Sequence, residues 1–353
     1  MLIADWRRYR LYFKFEARTS RAVMHAKNTY FVRVRDTERP EIFGLGEVPL
    51  FAGLSREDDP GFEGRLEEAC RNINSFDPSL PCDSSIRMGL ETAVADLANG
   101  GRGIIFHGSQ WLEGATGIDI NGLIWMGDHD TMFRRIRKKL DEGFKCLKLK
   151  IGGIAFDDEL NLLRHIRSRF PEDILQIRAD ANGAFSAENA MSRLEQLSQF
   201  GLHSIEQPVH AGQYDLMADI CRNSPIQVAL DEELIGDTSS NFKAQLLSFI
   251  RPQYVILKPA LCGGFYGAQG WIDAAAELGI GWWATSALES NVGLNAITQW
   301  TAAKGVTMPQ GLGTGELYLN NTASQLIRRG EKLFFNPLAE RDNSLFNPVG
   351  TGK

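Results

Sequence analysis

The chain has 353 residues, 43% of them hydrophobic and 23% charged, and a formal net charge of −6 from 38 basic and 44 acidic side chains. This is an ordinary composition for a folded protein with one large core or two domains, and it excludes a general nucleic-acid binder, which needs a basic face. No run of about 18 apolar residues is present to span a membrane, and Cys70, Cys82, Cys146, Cys221 and Cys262 are scattered without a C-x-x-C pair, so neither a disulfide framework nor a zinc site is expected.

The opening "MLIADWRRYRLYFKF" sets charges where a secretory signal needs an apolar run, so a cytoplasmic protein with reduced thiols is expected. "YRLYFKFEA", "NTYFVRVRD" and "IFGLGEVPL" are rich in aromatic and β-branched residues and predict three antiparallel strands. Helical patterns follow over about 59–76 and 84–101. The second has Ser84 or Ser85 as its N-cap candidate and ends at Gly100-Gly101. Residues 1–105 thus read as a small α+β domain. From Gly117 the pattern changes to strict alternation of strands and helices, which predicts a parallel sheet. Seven strands can be counted between Gly117 and Ser286, and a weaker eighth near Met308 to Gly313. Eight such units would close a TIM-type barrel over 106–329, with a doubly wound open sheet as the alternative. The tail, about 330–353 with "KLFFNPLAERDNSLF", is expected to form strands that pack back on the first domain.

Charged residues recur at the C-terminal ends of these strands. "CLKLKIGG" carries Lys148 and Lys150, which share one face because strand side chains alternate. The next four strands end in Asp180 of "RADANG", Glu206 of "IEQP", Asp231 of "LDEE" and Lys258 of "LKPA", at separations of 26, 25 and 27 residues, about one βα unit each. A K-x-K alone is ordinarily a solvated strand face, and "DANG" alone a turn with a helix cap. It is the group, in this order and at this spacing, that points to one barrel mouth. Three carboxylates brought together resist ionising without a cation among them. An all-oxygen set suits Mg²⁺, with Mn²⁺ as the alternative. A lysine beside a metal and a second lysine has its charged form disfavoured and can act as a base near neutral pH. Lys258 could instead be a structural salt-bridge lysine or a Schiff-base lysine. The remaining candidates are weak. "GLGTGELY" and "CGGFYGAQG" lack a dinucleotide site's context or spacing, the six histidines show no metal spacing, and no G-x-S-x-G elbow is present.

As a set, K-x-K, D-x-N, E-Q-P, D-E and K resemble the enolase superfamily in its muconate-lactonizing subgroup, over nearly the whole chain. "TSALESNVGL" is most similar to the o-succinylbenzoate synthases of that subgroup, and the absence of a D-x-D pair there disfavours dipeptide epimerases. "PQGLGTG", with Gln310, departs from their P-G-L-x-T pattern by one inserted residue. The resemblance implies a capping domain followed by a modified barrel. It implies that Asp180, Glu206 and Asp231 bind Mg²⁺, that Lys150 is the base with Lys148 in support, and that Lys258 is the partner lysine on the opposite face. Asn182, Ser286, Ser290 and Arg21 would face the substrate, Arg21 from a loop that closes over it, with the loop "LFAGLS" (Leu50 to Ser55) excluding water around the succinyl arm. The implied reaction converts a small carboxylate, 2-succinyl-6-hydroxy-2,4-cyclohexadiene-1-carboxylate, to 2-succinylbenzoate in menaquinone synthesis. The rivals are an N-succinylamino acid racemase or another epimerase or cycloisomerase of the superfamily, a non-catalytic Mg²⁺- or ligand-binding barrel, and a Schiff-base aldolase using Lys258. Oligomeric state is left open.

Overall fold

In the computed structural model, which describes residues 1–18 and 23–346, three strands, β1 (Leu2–Arg18), β2 (Val23–Asp36) and β3 (Arg39–Val48), form an antiparallel sheet in that order. Alternation along β2 sends Tyr30, Val32 and Val34 to one face. There they pack on Phe62, Leu66 and Cys70 of α1 (Phe62–Arg71) and on Ile86, Leu90 and Ala93 of α2 (Ser84–Ala98). The "GLG" of β3 lets this strand lie directly on α2. A Cβ at Gly44 would stand 1.8 Å from the Ala93 carbonyl oxygen, and one at Gly46 1.9 Å from that of Gly89. Helix α2 ends before Gly100 and Gly101, both at positive φ, as the sequence predicts. Its start differs from expectation. Neither serine caps it, and Glu57 from the preceding loop instead accepts from Ser85 N (2.9 Å) and Ser85 Oγ (2.8 Å).

The second half alternates strands and helices. In chain order these are β4 (Ile118–Asp119), β5 (Gly122–Ile124), α3 (His129–Asp141), β6 (Cys146–Lys150), α4 (Phe156–Arg167), β7 (Gln176–Asp180), α5 (Ala190–Ser198), β8 (Ser204–Glu206) and α6 (Tyr214–Asn223). They are followed by β9 (Val228–Leu230), α7 (Ser240–Ile250), β10 (Tyr254–Leu257), α8 (Gly264–Glu277), β11 (Gly281–Ala284) and α9 (Asn291–Ala303). Strands β5 to β11 make one parallel sheet with neighbours in chain order. Their apolar residues, Leu147, Leu149, Ile177, Ile205, Val228, Val255 and Leu257 among them, are buried in a single core with the helices.

The sheet curls shut through a seam rather than an eighth strand. Gln310 bridges Ile120 and Gly311 bridges Thr285, both in parallel sense. Gly311 N donates to Ala284 O (2.8 Å), Asn121 N to Gln310 O (2.9 Å), and the Gln310 side chain accepts from Ala284 N (2.8 Å). Pro309, which has no N–H, keeps this segment from extending as a ladder. The architecture is therefore a modified (β/α) barrel behind an N-terminal α+β layer.

The tail divides. Strands β12 (Leu326–Arg329) and β13 (Lys332–Phe335) pair antiparallel, and β13 pairs with β4 on the barrel side, where Trp111 Nε1 donates to Leu333 O (2.9 Å). This part does not pack on the first domain as expected. Further on, Arg341 pairs with Asp96 of α2 and donates to Phe43 O (2.7 Å), and Phe346 packs on Phe31 and Leu45.

Two carboxylates of the first domain cap barrel helices. Glu47 on β3 accepts from Ser290 N and Gly293 N (2.9 Å each) at the start of α9. Glu91 on α2 accepts from Phe265 N (2.7 Å) and Tyr266 N (2.8 Å) at the start of α8. Burial pushes Glu91 up to about 7, against the pull of those two amides and of Arg87. The folded protein thus holds this proton to higher pH than the unfolded chain. The resulting stabilisation is fully present below the unfolded value of 4.5 and is lost as pH rises through about 7. A cost on the order of 1–3 kcal/mol is expected for ionising it. The melting temperature of Glu91→Gln relative to wild type should therefore rise between pH 5 and pH 8. A pH-independent difference would refute this role.

Candidate active site

Parallel pairing sets the predicted residues side by side. Lys150 on β6 pairs with Asp180 on β7, and Asp180 with Glu206 on β8, so all three stand at one height at the strand ends. Asp231 directly follows β9 and Lys258 directly follows β10. In a ring of eight staves, β6 and β10 lie four strands apart, on opposite sides of the mouth. The three carboxylates come from the strands between them. Lys148 lies two residues below Lys150 on the same inward face.

The contacts are dense. Lys148 Nζ bridges Asp180 Oδ2 (3.0 Å) and Glu206 Oε2 (2.5 Å). Lys150 Nζ donates to Asp180 Oδ2 (2.8 Å) and Asn182 Oδ1 (2.7 Å). Lys258 is paired with Asp231, and Asn182 Nδ2 donates to Glu232 Oε1 (3.1 Å). Two non-glycine residues next to the carboxylates, Asn182 (φ 45°) and Gln207 (φ 39°), hold left-handed backbone, a conformation that costs of order 1–3 kcal/mol each and clusters at functional sites. Gln207 Oε1 accepts from Asp231 N (3.2 Å), so the strained turn also ties Glu206 to Asp231.

Burial works against every charge here, and the neighbours decide each outcome. Burial would raise Asp180, but Lys148 and Lys150 outweigh it and hold the carboxylate far below its ordinary range. Asp231 is likewise held down by Lys258 and Lys148 against its burial. Glu206 goes the other way. Burial first, then repulsion from Asp180, raises it well above the usual range despite Lys148. Lys148 and Lys258 are both held above the ordinary lysine value, because the carboxylates more than offset burial.

The carboxylates fit a hard divalent cation by donor chemistry, being all oxygen. Glu206 Oε1 is also a buried oxygen with no hydrogen-bond partner, the kind of orphan that an ion or water satisfies. They are not gathered on one point. Among the described residues no three metal-capable side chains are drawn together, and the carboxylates pair with Lys148, Lys150 and Lys258.

Above this floor lies a cavity of about 830 Å³, walled by Leu50 to Leu54 of the first domain and by Trp125 and Leu288 of the barrel. Lys148, Lys150, Asp180, Asn182, Lys258 and Ser286 reach it. Ser286 Oγ accepts from Leu288 N (2.9 Å) and is bonded to Glu289. Ser290 does not reach it. It is the buried N-cap of α9, accepting from Val292 N (3.2 Å) and donating to Glu47, so the expectation that it faces the substrate is corrected. Arg21 lies outside the described residues. Glu232 and Lys27 are among the residues of the cavity wall that sequence reasoning missed. Glu232 adjoins Asp231 in a motif already singled out. Lys27 sits in a strand of mixed polar and apolar residues and gives no such signal.

Among the described residues no helix is long and apolar enough to cross a membrane. A family model described as "Enolase C-terminal domain-like" matches residues 131–337. The chain is 46% identical to an o-succinylbenzoate synthase of Desulfotalea psychrophila, over 92% of this chain and 97% of that protein. It superposes on the crystal structure of MenC from Desulfotalea psychrophila LSv54 with a TM-score of 0.81 and 43% identity, covering 94% of this chain and 99% of the other. Muconate lactonizing enzyme from Pseudomonas putida shares the fold at TM-score 0.73 and 18% identity, covering 94% and 93%.

Proposed function

Because the chain belongs to the enolase C-terminal domain-like family, within the muconate-lactonizing subgroup of the enolase superfamily, we infer that it catalyses the o-succinylbenzoate synthase reaction. This is a hydro-lyase step of menaquinone synthesis, in which 2-succinyl-6-hydroxy-2,4-cyclohexadiene-1-carboxylate loses water to become 2-succinylbenzoate. Two lysines flanking three carboxylates would suit any proton abstraction beside a carboxylate. The observation that singles out dehydration is the near-full-length likeness to a synthase.

Asp180, Glu206 and Asp231 are the residues that would hold Mg²⁺. When bound there, the cation would draw electron density from the ring carboxylate and acidify the adjacent C–H. Lys150, which reaches the cavity beside Asn182, takes that proton. The C–H electron pair moves into the ring, the C–O bond to the ring hydroxyl breaks, and the Lys150 ammonium returns its proton to the leaving oxygen. One water leaves, Lys150 ends neutral again, and the ring is aromatic. Lys258, across the mouth, opposes the negative charge that grows on the carboxylate. Lys148 holds Asp180 and Glu206 in register from below. The Leu50 to Leu54 segment shields the reacting carbon from water.

Purified protein should consume the cyclohexadiene substrate, followed as loss of diene absorbance with 2-succinylbenzoate recovered. EDTA should reduce the rate to background and added Mg²⁺ should restore it. Full activity in EDTA would remove the metal from the reading. The opposed lysines also permit removal of a proton from one face and return from the other. Absence of diene turnover with α-proton exchange on N-succinylamino acids would therefore move the assignment to racemisation.

A further inference from the structure

We propose that Lys27 binds the carboxylate at the far end of the substrate's succinyl arm. This rests on the reaction assigned above and adds a residue to the site, one contributed by the first domain.

The cations that line the cavity fall into two kinds. Lys148, Lys150 and Lys258 at the floor are each ion-paired with a carboxylate, and Arg8 and Arg10 at the mouth are exposed, Arg8 being paired with Glu63. Lys27 is different. It is 7% exposed, on the cavity wall, and among the described residues no carboxylate lies within ion-pair distance of it. Its Nζ donates to Ala287 O and Leu288 O, each at 3.0 Å. An ammonium has three N–H groups, so one remains for another acceptor. Burial pushes Lys27 below the ordinary lysine value, and Glu289 and Glu47 only partly pull it back. A buried ammonium with two of its three N–H groups on neutral carbonyls lacks a counter-ion, and a charge-assisted bond to an incoming carboxylate supplies one.

Its position suits an arm rather than a ring. Lys27 lies over the Phe51 ring at 5.6 Å, beside the Leu50 to Leu54 segment, with Leu288 on the barrel side. The two carbonyls that hold it belong to the loop that also carries Ser286. That loop is fixed in turn by the Tyr318 hydroxyl donating to Leu288 O (2.6 Å). The barrel floor thus takes one carboxylate of a dicarboxylate, and the first domain takes the other.

The test compares binding of 2-succinylbenzoate with 2-butanoylbenzoate, which has a methyl group in place of the arm's terminal carboxylate, by calorimetry with Mg²⁺ present. Wild type should prefer 2-succinylbenzoate by about 10- to 100-fold. Lys27→Gln should lose most of that preference while binding 2-butanoylbenzoate as before, and should raise KM for the diene substrate more than it lowers kcat. Lys27→Arg should keep the preference. Absence of any preference in wild type would overturn the proposal without recourse to a variant, as would equal weakening of both ligands in Lys27→Gln, the outcome for a lysine that merely ties the domains together. A wild type that neither consumes the diene nor binds 2-succinylbenzoate would overturn the assigned reaction itself and this inference with it.

Discussion

Lys150→Ala is expected to abolish α-proton exchange in D₂O and to lower turnover by on the order of 10³- to 10⁴-fold, with Mg²⁺ affinity unchanged within a few-fold. Of the three lysines at the mouth, Lys150 is the one whose amine can be freed for this work. Lys148 is committed to two carboxylates at the cavity floor, and Lys258 to Asp231. Lys150 shares Asp180 with Lys148 and has a neutral amide, Asn182, as its other partner. It also stands at the strand end, one pleat repeat above Lys148, where a substrate in the cavity would meet it. Exchange measured by loss of the α-proton signal separates the base from the rest of the machinery. Retained exchange in Lys150→Ala would refute the assignment, and transfer of the loss to Lys258→Ala would make the opposite lysine the base.

Glu206→Gln is the second large effect. Metal affinity should fall by about 100-fold or more and turnover with it, while the metal-free protein melts no lower than wild type. The two parts of this expectation come from one observation. Glu206 is fully enclosed, its ionised form is opposed by burial and by Asp180, and one of its oxygens has no partner. A carboxylate whose ionised form is disfavoured in the folded state contributes little to folding through its charge, and an amide of the same shape removes that penalty. Removing the charge also leaves Lys148 paired with Asp180. Calorimetric titration of Mg²⁺ and a thermal melt in EDTA read the two parts separately. Unchanged metal affinity would take Glu206 out of the ligand set, and a large loss of stability in EDTA would show that its pairing with Lys148 serves folding first.

The barrel and its charged mouth were legible because both follow from periodicities. Side chains alternate along each strand, and one βα unit takes 25 to 27 residues here, so Asp180, Glu206, Asp231 and Lys258 announce a shared end of the sheet. What lay hidden depends on contacts between distant parts of the chain. Lys27 and Glu47 meet a loop and a helix start some 240 to 260 residues away, and nothing in their own neighbourhoods marks them. Ser290 looked like a substrate residue because it follows Ser286 in a serine-bearing stretch. The onset of α9 directly after Ser290 makes that serine a cap, while Ser286, four residues earlier, faces the cavity. The eighth strand was faint because it is scarcely a strand. A side chain, Gln310, makes part of the seam that backbone makes elsewhere, so strand propensity had little to act on.

The capping of α8 by Glu91 and of α9 by Glu47 bears on modularity. Each carboxylate satisfies helix-end amides that no residue of the barrel reaches. A barrel severed from its first domain would lose these acceptors at both helix starts, α9 keeping only Ser290 as its cap, each lost cap costing on the order of 1 kcal/mol, and α9 begins just after the loop that carries Ser286. The two halves are therefore not interchangeable parts. A chimera joining this barrel to a relative's first domain keeps its catalytic loop in order only if the incoming sheet and helix bring acidic side chains to the same two places.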